Sequence, residues 1–333
     1  MVYKNNPIFY KGKKMNYVID PRLTEAVAFF ENAIPGGITL DDVPATRKAM
    51  SDLMLQMSAV APKIPGITAG DYFAPADNAP DVMVRIYEPE GRTETLPALF
   101  WIHGGAWALG SVEMEDLRAR SLALAFNCVV ASVEYRLAPE HPFPAPLEDC
   151  YTALKWLAGS SERFNINPER IVVGGESAGG SLSAGLCLLA RDRGELSICY
   201  QFLGCPALDD TTGEKEWVTK LESPLVDRRL LFDGWRSYLQ TPLGCDDISP
   251  YAAPARAKNL SGLPPAFIAV GTQDVLCHDG IDYAQRLMKA GVPTELHVYR
   301  DGFHGFHVFA PEADISKRYI AEYTHVLRSV LHD

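Results

Sequence analysis

Two patterns of apolar and polar positions divide the chain. From Asp20 to about Met57 the apolar residues recur at helical spacing. Asp20-Pro21 supplies an N-cap followed by proline at the first helical position, and this helix is expected to end before Pro35-Gly36-Gly37. A second helix is expected from about Pro44 to Met57. Its Met50, Leu53, Met54 and Met57 fall at i, i+3, i+4 and i+7 on one face. Such a face usually packs into a core; lining an apolar entrance is the alternative. After the loop-rich stretch 62–80, short apolar runs take over. Val82–Tyr87, Ala98–Ile102, Cys128–Val133, Ile171–Gly174, Ile198–Leu203, Ala266–Val270 and Glu295–Tyr299 read as strands. Helical patterns fall between them at Glu113–Phe126, Leu147–Ala158, Ser177–Arg193 and Gly280–Lys289. A last helix covers about Ile315–Leu331.

Strands alternating with helices predict an α/β fold with a mostly parallel sheet covered on both faces. One stretch breaks the alternation. Pro206 to about Lys258 has no clean strand pattern and carries Leu230-Leu231-Phe232 and Trp235, so it reads as a helical insertion. With the N-terminal helices it is expected to cap the sheet's C-terminal edge, where open α/β folds bind ligands. The expected division is an N-terminal cap segment over 1–60, a first core part over 61–205, a cap insertion over 206–258 and a second core part over 259–333. There is no internal repeat and no low-complexity tract.

The most informative ten residues run from Arg170 to Gly179. The strand Arg170-Ile171-Val172-Val173-Gly174 leads into Gly175-Glu176-Ser177-Ala178-Gly179, and a helix follows. This is the G-x-S-x-G pattern of a nucleophile elbow. Only small residues fit beside a serine on so tight a turn. The turn lifts the Ser177 hydroxyl to a helix N-terminus, where free N–H groups favour negative charge. An ordinary N-cap serine is the competing reading.

A serine hydroxyl needs a base to take its proton and a carboxylate to orient that base. Asp274 and His304 each follow a strand, on the loops Gly271-Thr272-Gln273-Asp274 and Arg300-Asp301-Gly302-Phe303-His304-Gly305. The order nucleophile, acid, histidine is the expected one. Asp279 and Asp301 compete for the acid role, and His307 and His278 for the base. The glycine-flanked turn favours His304 over His307, and His278 precedes a helix rather than closing a strand. An oxyanion needs fixed donors. His103-Gly104-Gly105-Ala106 follows a strand, so the N–H groups of Gly104 and Gly105, with that of Ala178, are the expected donors. His103 is expected to fix this loop by hydrogen bonding.

Composition narrows the reading. The 333 residues are 47% hydrophobic and 22% charged, an ordinary globular balance. The net charge of −11 argues against a nucleic-acid partner. The seven cysteines are scattered, without a C-x-x-C, and read as free thiols in a reducing compartment. The polar stretch Met1 to Lys14 has no apolar leader, and no apolar run is long enough for a membrane span. A cytoplasmic location is expected, and Met15 is an alternative start.

Four separated motifs carry a family resemblance over roughly residues 80 to 332. They are His103-Gly104-Gly105-Ala106; Tyr135-Arg136-Leu137-Ala138-Pro139-Glu140 with His141-Pro142-Phe143-Pro144-Ala145; Gly175-Glu176-Ser177-Ala178-Gly179-Gly180; and Asp274-Val275-Leu276 with His304-Gly305-Phe306. In these the chain resembles the hormone-sensitive-lipase-like branch of the α/β-hydrolase esterases. The resemblance implies an α/β-hydrolase fold, an N-terminal helical cap, and no metal or organic cofactor. It implies Ser177 as nucleophile, Asp274 as acid, His304 as base, and Gly104, Gly105 and Ala178 as oxyanion-hole donors. It points to hydrolysis of short- to medium-chain carboxylic esters. An amidase, lactonase or deacetylase is the alternative, and a non-enzymatic receptor the remote one. Relatives often pair along an edge strand, which here is Glu295–Tyr299. Three positions depart from the family pattern. HGGG reads HGGA, and Ala106 offers its N–H when its φ is negative. Asp-Pro-Leu reads Asp274-Val275-Leu276. Glu176 stands before the serine, where it is expected to hold surrounding loops. The Tyr135–Glu140 motif is expected to support the oxyanion loop from below.

Overall fold

The computed structural model describes residues 19–333 except Pro62 and Glu222, together with a small antiparallel pair, β1 (Phe9–Tyr10) and β2 (Lys13–Lys14). The expectations for the rest of the N-terminal stretch, and for Met15, lie outside the described residues. Two helices open the chain, α1 (Thr24–Ala33) and α2 (Val43–Val60), followed by β3 (Ile67–Ala74), β4 (Val82–Pro89), β5 (Leu96–Ile102), α3 (Asp116–Phe126) and β6 (Val129–Glu134). Then come α4 (Ala145–Gly159), β7 (Ile166–Glu176), α5 (Ala178–Arg193), β8 (Tyr200–Gly204), α6 (Glu216–Lys220) and α7 (Arg228–Leu239). The chain closes with β9 (Ala266–Gly271), α8 (Cys277–Lys289), β10 (Thr294–Tyr299), α9 (Phe306–Phe309) and α10 (Asp314–His332). Asp20 caps the short 3₁₀ turn before α1 through the Arg22 N–H, and Asp42 caps α2 through the Ala45 N–H.

One eight-stranded sheet organises the fold, in the order β10-β9-β8-β7-β5-β6-β4-β3. From β6 to β10 the neighbours run parallel, whereas β4 and β3 add antiparallel at one end. The seven expected strands are β4 to β10. The eighth, β3, lies where the sequence suggested only loop. Six of its eight residues are exposed or half-exposed, so no apolar run marks it. Its backbone pairing with β4, from Ile67↔Pro89 to Ala74↔Val82, makes it a strand.

Covered parallel strands must be apolar on both faces. All of β5 is buried, with Ala98, Phe100 and Ile102 in one core and Leu99 and Trp101 in the other. Residues of α4, α5 and α8 fill the first core; α1, α3 and α10 cover the second. The C-terminal ends of β5, β7, β9 and β10 therefore open on one side of the molecule. None of the described helices is long and apolar enough to cross a membrane.

Candidate active site

Ser177 occupies the turn between β7 and α5 with φ 58° and ψ −122°. A side-chain-bearing residue held in such a region stores about 1–3 kcal/mol of strain. The turn is pinned on both sides: the Ser177 N–H donates to Gly204 O at 2.9 Å, and Ser177 O accepts from the Ser181 N–H at 3.0 Å. The flanking glycines are required by close approach. A Cβ on Gly175 would lie 2.4 Å from Ile102 O, and one on Gly179 would lie 2.1 Å from the same oxygen. The sharp elbow thus follows from β5 pressing against it. It places the Ala178 N–H in the first turn of α5, where backbone donors lack intrahelical partners.

Asp274 follows β9 and is fully buried. Its Oδ2 lies 2.7 Å from His304 Nδ1, and its Oδ1 accepts from the Leu276 N–H at 2.9 Å. The carboxylate therefore fixes the proton on Nδ1 and leaves Nε2 as the acceptor. Burial by itself favours the neutral imidazole, but contact with Asp274 outweighs it and holds the His304 pKa well above its ordinary value. Ser177, Gly104, Gly105, Ala178 and His304 line one cavity of about 190 Å³, with Asp274 behind the imidazole. The rivals sit elsewhere. Asp279 accepts from Thr212 Oγ1 and from the Leu208 and Asp209 N–H groups. Asp301 pairs with Arg300, and His278 lies against Trp217 with the rings tilted by 53°. His307 Nε2 lies 3.0 Å from Glu176 Oε1.

The loop after β5 is packed onto the elbow. A Cβ on Gly104 would lie 2.9 Å from Glu176 O, and Gly105 has φ 119° with Leu109 O 2.3 Å from its Cβ position. Ala106 does not meet the condition of a negative φ: it has φ 51°, and Trp107 has φ 57°. Packing holds them there. Trp107 stacks on Tyr238 at 4.8 Å and lies 4.3 Å from Trp235, both from α7. Gly234 leaves room for the Ala106 methyl, since a Cβ there would be only 3.1 Å from it. His103 bonds the Gly104 carbonyl through Nδ1 at 2.8 Å and stacks on Tyr135, whose hydroxyl donates to His103 O. Burial depresses the His103 pKa to about 4, so it is neutral at physiological pH. The motif after β6 underpins the same loop: Arg136 forks onto Asp149, and the Ala138 N–H donates to Trp107 O.

The N-terminal and inserted segments close the cavity. Ile38, Met50 and Met54 line it from one, and Leu225, Val226, Leu230 and Leu231 from the other. The methionine-bearing face divides: Met50 and Met54 meet the cavity, whereas Leu53 is buried in the second core and Met57 packs against it. Phe30 and Trp235 are core residues, and Phe29 is exposed. Arg47 of α2 donates to Ala108 O and Ala138 O, and Arg229 of α7 pairs with Asp41.

Cys205 was not anticipated, and Glu176, expected to hold surrounding loops, instead meets side chains of α3, α9 and α10. Cys205, just after β8, puts Sγ 3.9 Å from His304 Nε2. Glu176 gathers Arg118 (2.6 Å), Tyr319 (3.1 Å) and His307 around its Oε1. These residues are far apart in sequence, and no local spacing announces them.

Residues 99–308 match the α/β-hydrolase fold family, a span that holds all three candidate residues. The chain is 37% identical over 237 residues to the carboxylesterase NlhH of Mycobacterium tuberculosis, covering 70% of this chain and 74% of that one. It is 33% identical over 322 residues to the esterase LipI of the same organism, covering 94% and 96%. Among solved structures, a bacterial heroin esterase superposes with a TM-score of 0.88 at 37% identity, over 95% of this chain and 99% of that one. An esterase from the archaeon Pyrobaculum calidifontis gives 0.84 at 33%, over 94% and 99%. The chain belongs to the α/β-hydrolase fold family. Within it, the chain is a carboxylic-ester hydrolase of the hormone-sensitive-lipase-like branch.

Proposed function

We propose that this carboxylesterase works by acyl transfer through Ser177, with His304 as general base and then acid, and Asp274 as the orienting carboxylate. The observation that carries the reading is the buried 2.7 Å pair of Asp274 and His304 beside the cavity that Ser177 lines. Ser177 Oγ attacks the ester carbonyl while Nε2 takes its proton. The carbonyl oxygen becomes an oxyanion facing the Gly104, Gly105 and Ala178 N–H groups, and the free first turn of α5 adds to the field. His304 returns the proton to the leaving alkoxide, and the alcohol departs. Water, deprotonated by the same nitrogen, then attacks the acyl-serine; the proton goes back to Ser177 and the acid leaves.

The cavity of about 190 Å³ is small beside the roughly 300–1,000 Å³ of pockets for drug-sized ligands. Its walls are chiefly apolar, with Met54, Leu230 and Leu231 among them, which supports short- to medium-chain acyl groups. The described residues of 1–60 and 206–258 act as the cap, through Met50 and Met54 on one side and Leu230 and Leu231 on the other. p-Nitrophenyl acetate, butyrate, octanoate and palmitate test this. Turnover should peak at or below the eight-carbon chain. A peak at palmitate rejects the small pocket. Turnover of anilides or lactones with no ester turnover moves the assignment to the amidase or lactonase reading.

A further inference from the structure

The base of the proposed triad has a sulfur neighbour. Cys205 leaves β8 with Sγ 3.9 Å from His304 Nε2, and both residues line the catalytic cavity. Among the described residues, this thiol is the only hydrogen-bond contact of Nε2. His304 is more than nine-tenths buried, and its Nε2 faces this thiol at the cavity wall. Asp274, Cys205 and His304 offer ligand atoms within 4.8 Å of one another. Asp274 is already engaged with Nδ1.

We propose that Cys205 Sγ and His304 Nε2 form a binding site for a thiophilic divalent cation such as zinc, and that the bound ion switches the esterase off reversibly. Geometry supports the bite. Tetrahedral zinc with bonds of about 2.3 Å to sulfur and 2.0–2.1 Å to nitrogen spans roughly 3.6 Å between them. The observed separation needs a closure of only a few tenths of an ångström. The outer partner is in place too. A metal-bound histidine usually donates its other ring N–H to a carboxylate, carbonyl or water, and Asp274 already accepts from the His304 Nδ1–H. Water from the cavity that both residues line would take the two remaining positions. The exchange balances: the thiol loses one proton to solvent, the thiolate and the imidazole lone pair bind the ion, and no electron moves. With its lone pair committed, Nε2 cannot accept the Ser177 proton.

The site does not depend on Ser177 being the nucleophile, so its test uses a readout besides activity. Cobalt(II) is added to the wild type, Ser177→Ala, Cys205→Ser and Cys205→Ala, and the ultraviolet thiolate-to-cobalt charge-transfer band is recorded. In parallel, zinc chloride is titrated into the esterase assay, each variant being scored against its own zinc-free rate, with EDTA added at the end. The band should appear in the wild type and in Ser177→Ala, and vanish in both Cys205 variants. Half-inhibition should need at least roughly 10- to 100-fold more zinc in the Cys205 variants, since losing a ligand costs no less than losing an outer partner, and EDTA should restore the wild type. Cys205→Ser guards against a folding defect in the alanine variant. An unchanged band, or equal zinc sensitivity in folded Cys205 variants, overturns the proposal. A band in inactive Ser177→Ala keeps it separate from the triad assignment.

Discussion

Replacing Glu176 by glutamine separates a supporting role from a catalytic one, because this carboxylate adjoins Ser177 in sequence and its Oε1 sits in a charged cluster. Its Oε1 is 2.6 Å from Arg118 Nη2, 3.1 Å from the Tyr319 hydroxyl and 3.0 Å from His307 Nε2. Arg118 is confined between the rings of Trp101 and Tyr323, at 5.4 and 5.9 Å. Burial works against the carboxylate, but the Arg118 guanidinium above all offsets it and holds the Glu176 pKa far below the ordinary range. Removing one partner of a buried pair costs about 3–5 kcal/mol, because a bare charge is left behind. Two features soften this: the amide oxygen still accepts one hydrogen bond, and Glu115 adds some compensating field at Arg118. The expected loss is about 2–4 kcal/mol at pH 7. At about 2 °C per kcal/mol for a large domain, Tm falls by roughly 4–8 °C. The pH sign follows from the depressed pKa. Stability from this group is fully present above about pH 4.3, the unfolded value, and is lost as pH falls toward the native one. The gap between wild type and Glu176→Gln should therefore narrow below that pH. Differential scanning fluorimetry from pH 3.5 to 8 reads both effects. A variant within 1 °C of wild type at pH 7 would refute the reasoning.

Three further outcomes follow from the site. Asp274→Asn keeps the shape but loses the charge that orders His304, and kcat should drop by about 10⁴-fold with the fold intact by circular dichroism. Because Asp274 holds the His304 pKa up, kcat/KM in the wild type should fall on the acid side with a midpoint above about 6.5, the free-histidine value; a midpoint below 6 contradicts the assigned base. Gly105→Ala forces a side chain onto φ 119° and against Leu109 O. It should cost about 10²-fold in kcat, the effect of displacing an oxyanion donor, and a folded variant of normal activity would remove Gly105 from that role.

The parts legible in the sequence share a local cause. Strands β5 to β9 announced themselves because two-sided burial demands apolar runs, whereas β4 alternates and the outer strand β10 is only partly buried. Gly175 and Gly179 did so because Ile102 O leaves no room for a Cβ. Asp274 and His304 were readable from their places after β9 and β10. What escaped depends on distant neighbours. The strand β3 is an outer strand of mixed polar and apolar residues, most of them exposed or half-exposed, and only its pairing to β4 defines it. The φ of Ala106 is imposed by Trp235, Tyr238 and Gly234, more than 120 residues away in sequence. The Arg118–Glu176–His307–Tyr319 cluster and the approach of Cys205 to His304 arise only when β7, β8, α3 and α10 converge. The face of α2 divided for the same reason: Leu53 turns toward the second core while Met50 and Met54 meet the cavity.

The most direct test of the account is to trap the acyl-enzyme. Wild type and Ser177→Ala are mixed with p-nitrophenyl butyrate, quenched in acid within the first turnover, digested and mapped by mass spectrometry. The account predicts a butyryl group on Ser177 in the wild type, and neither adduct nor turnover in folded Ser177→Ala. A butyryl group on Cys205 or any other residue, or sustained hydrolysis by the alanine variant, would contradict it.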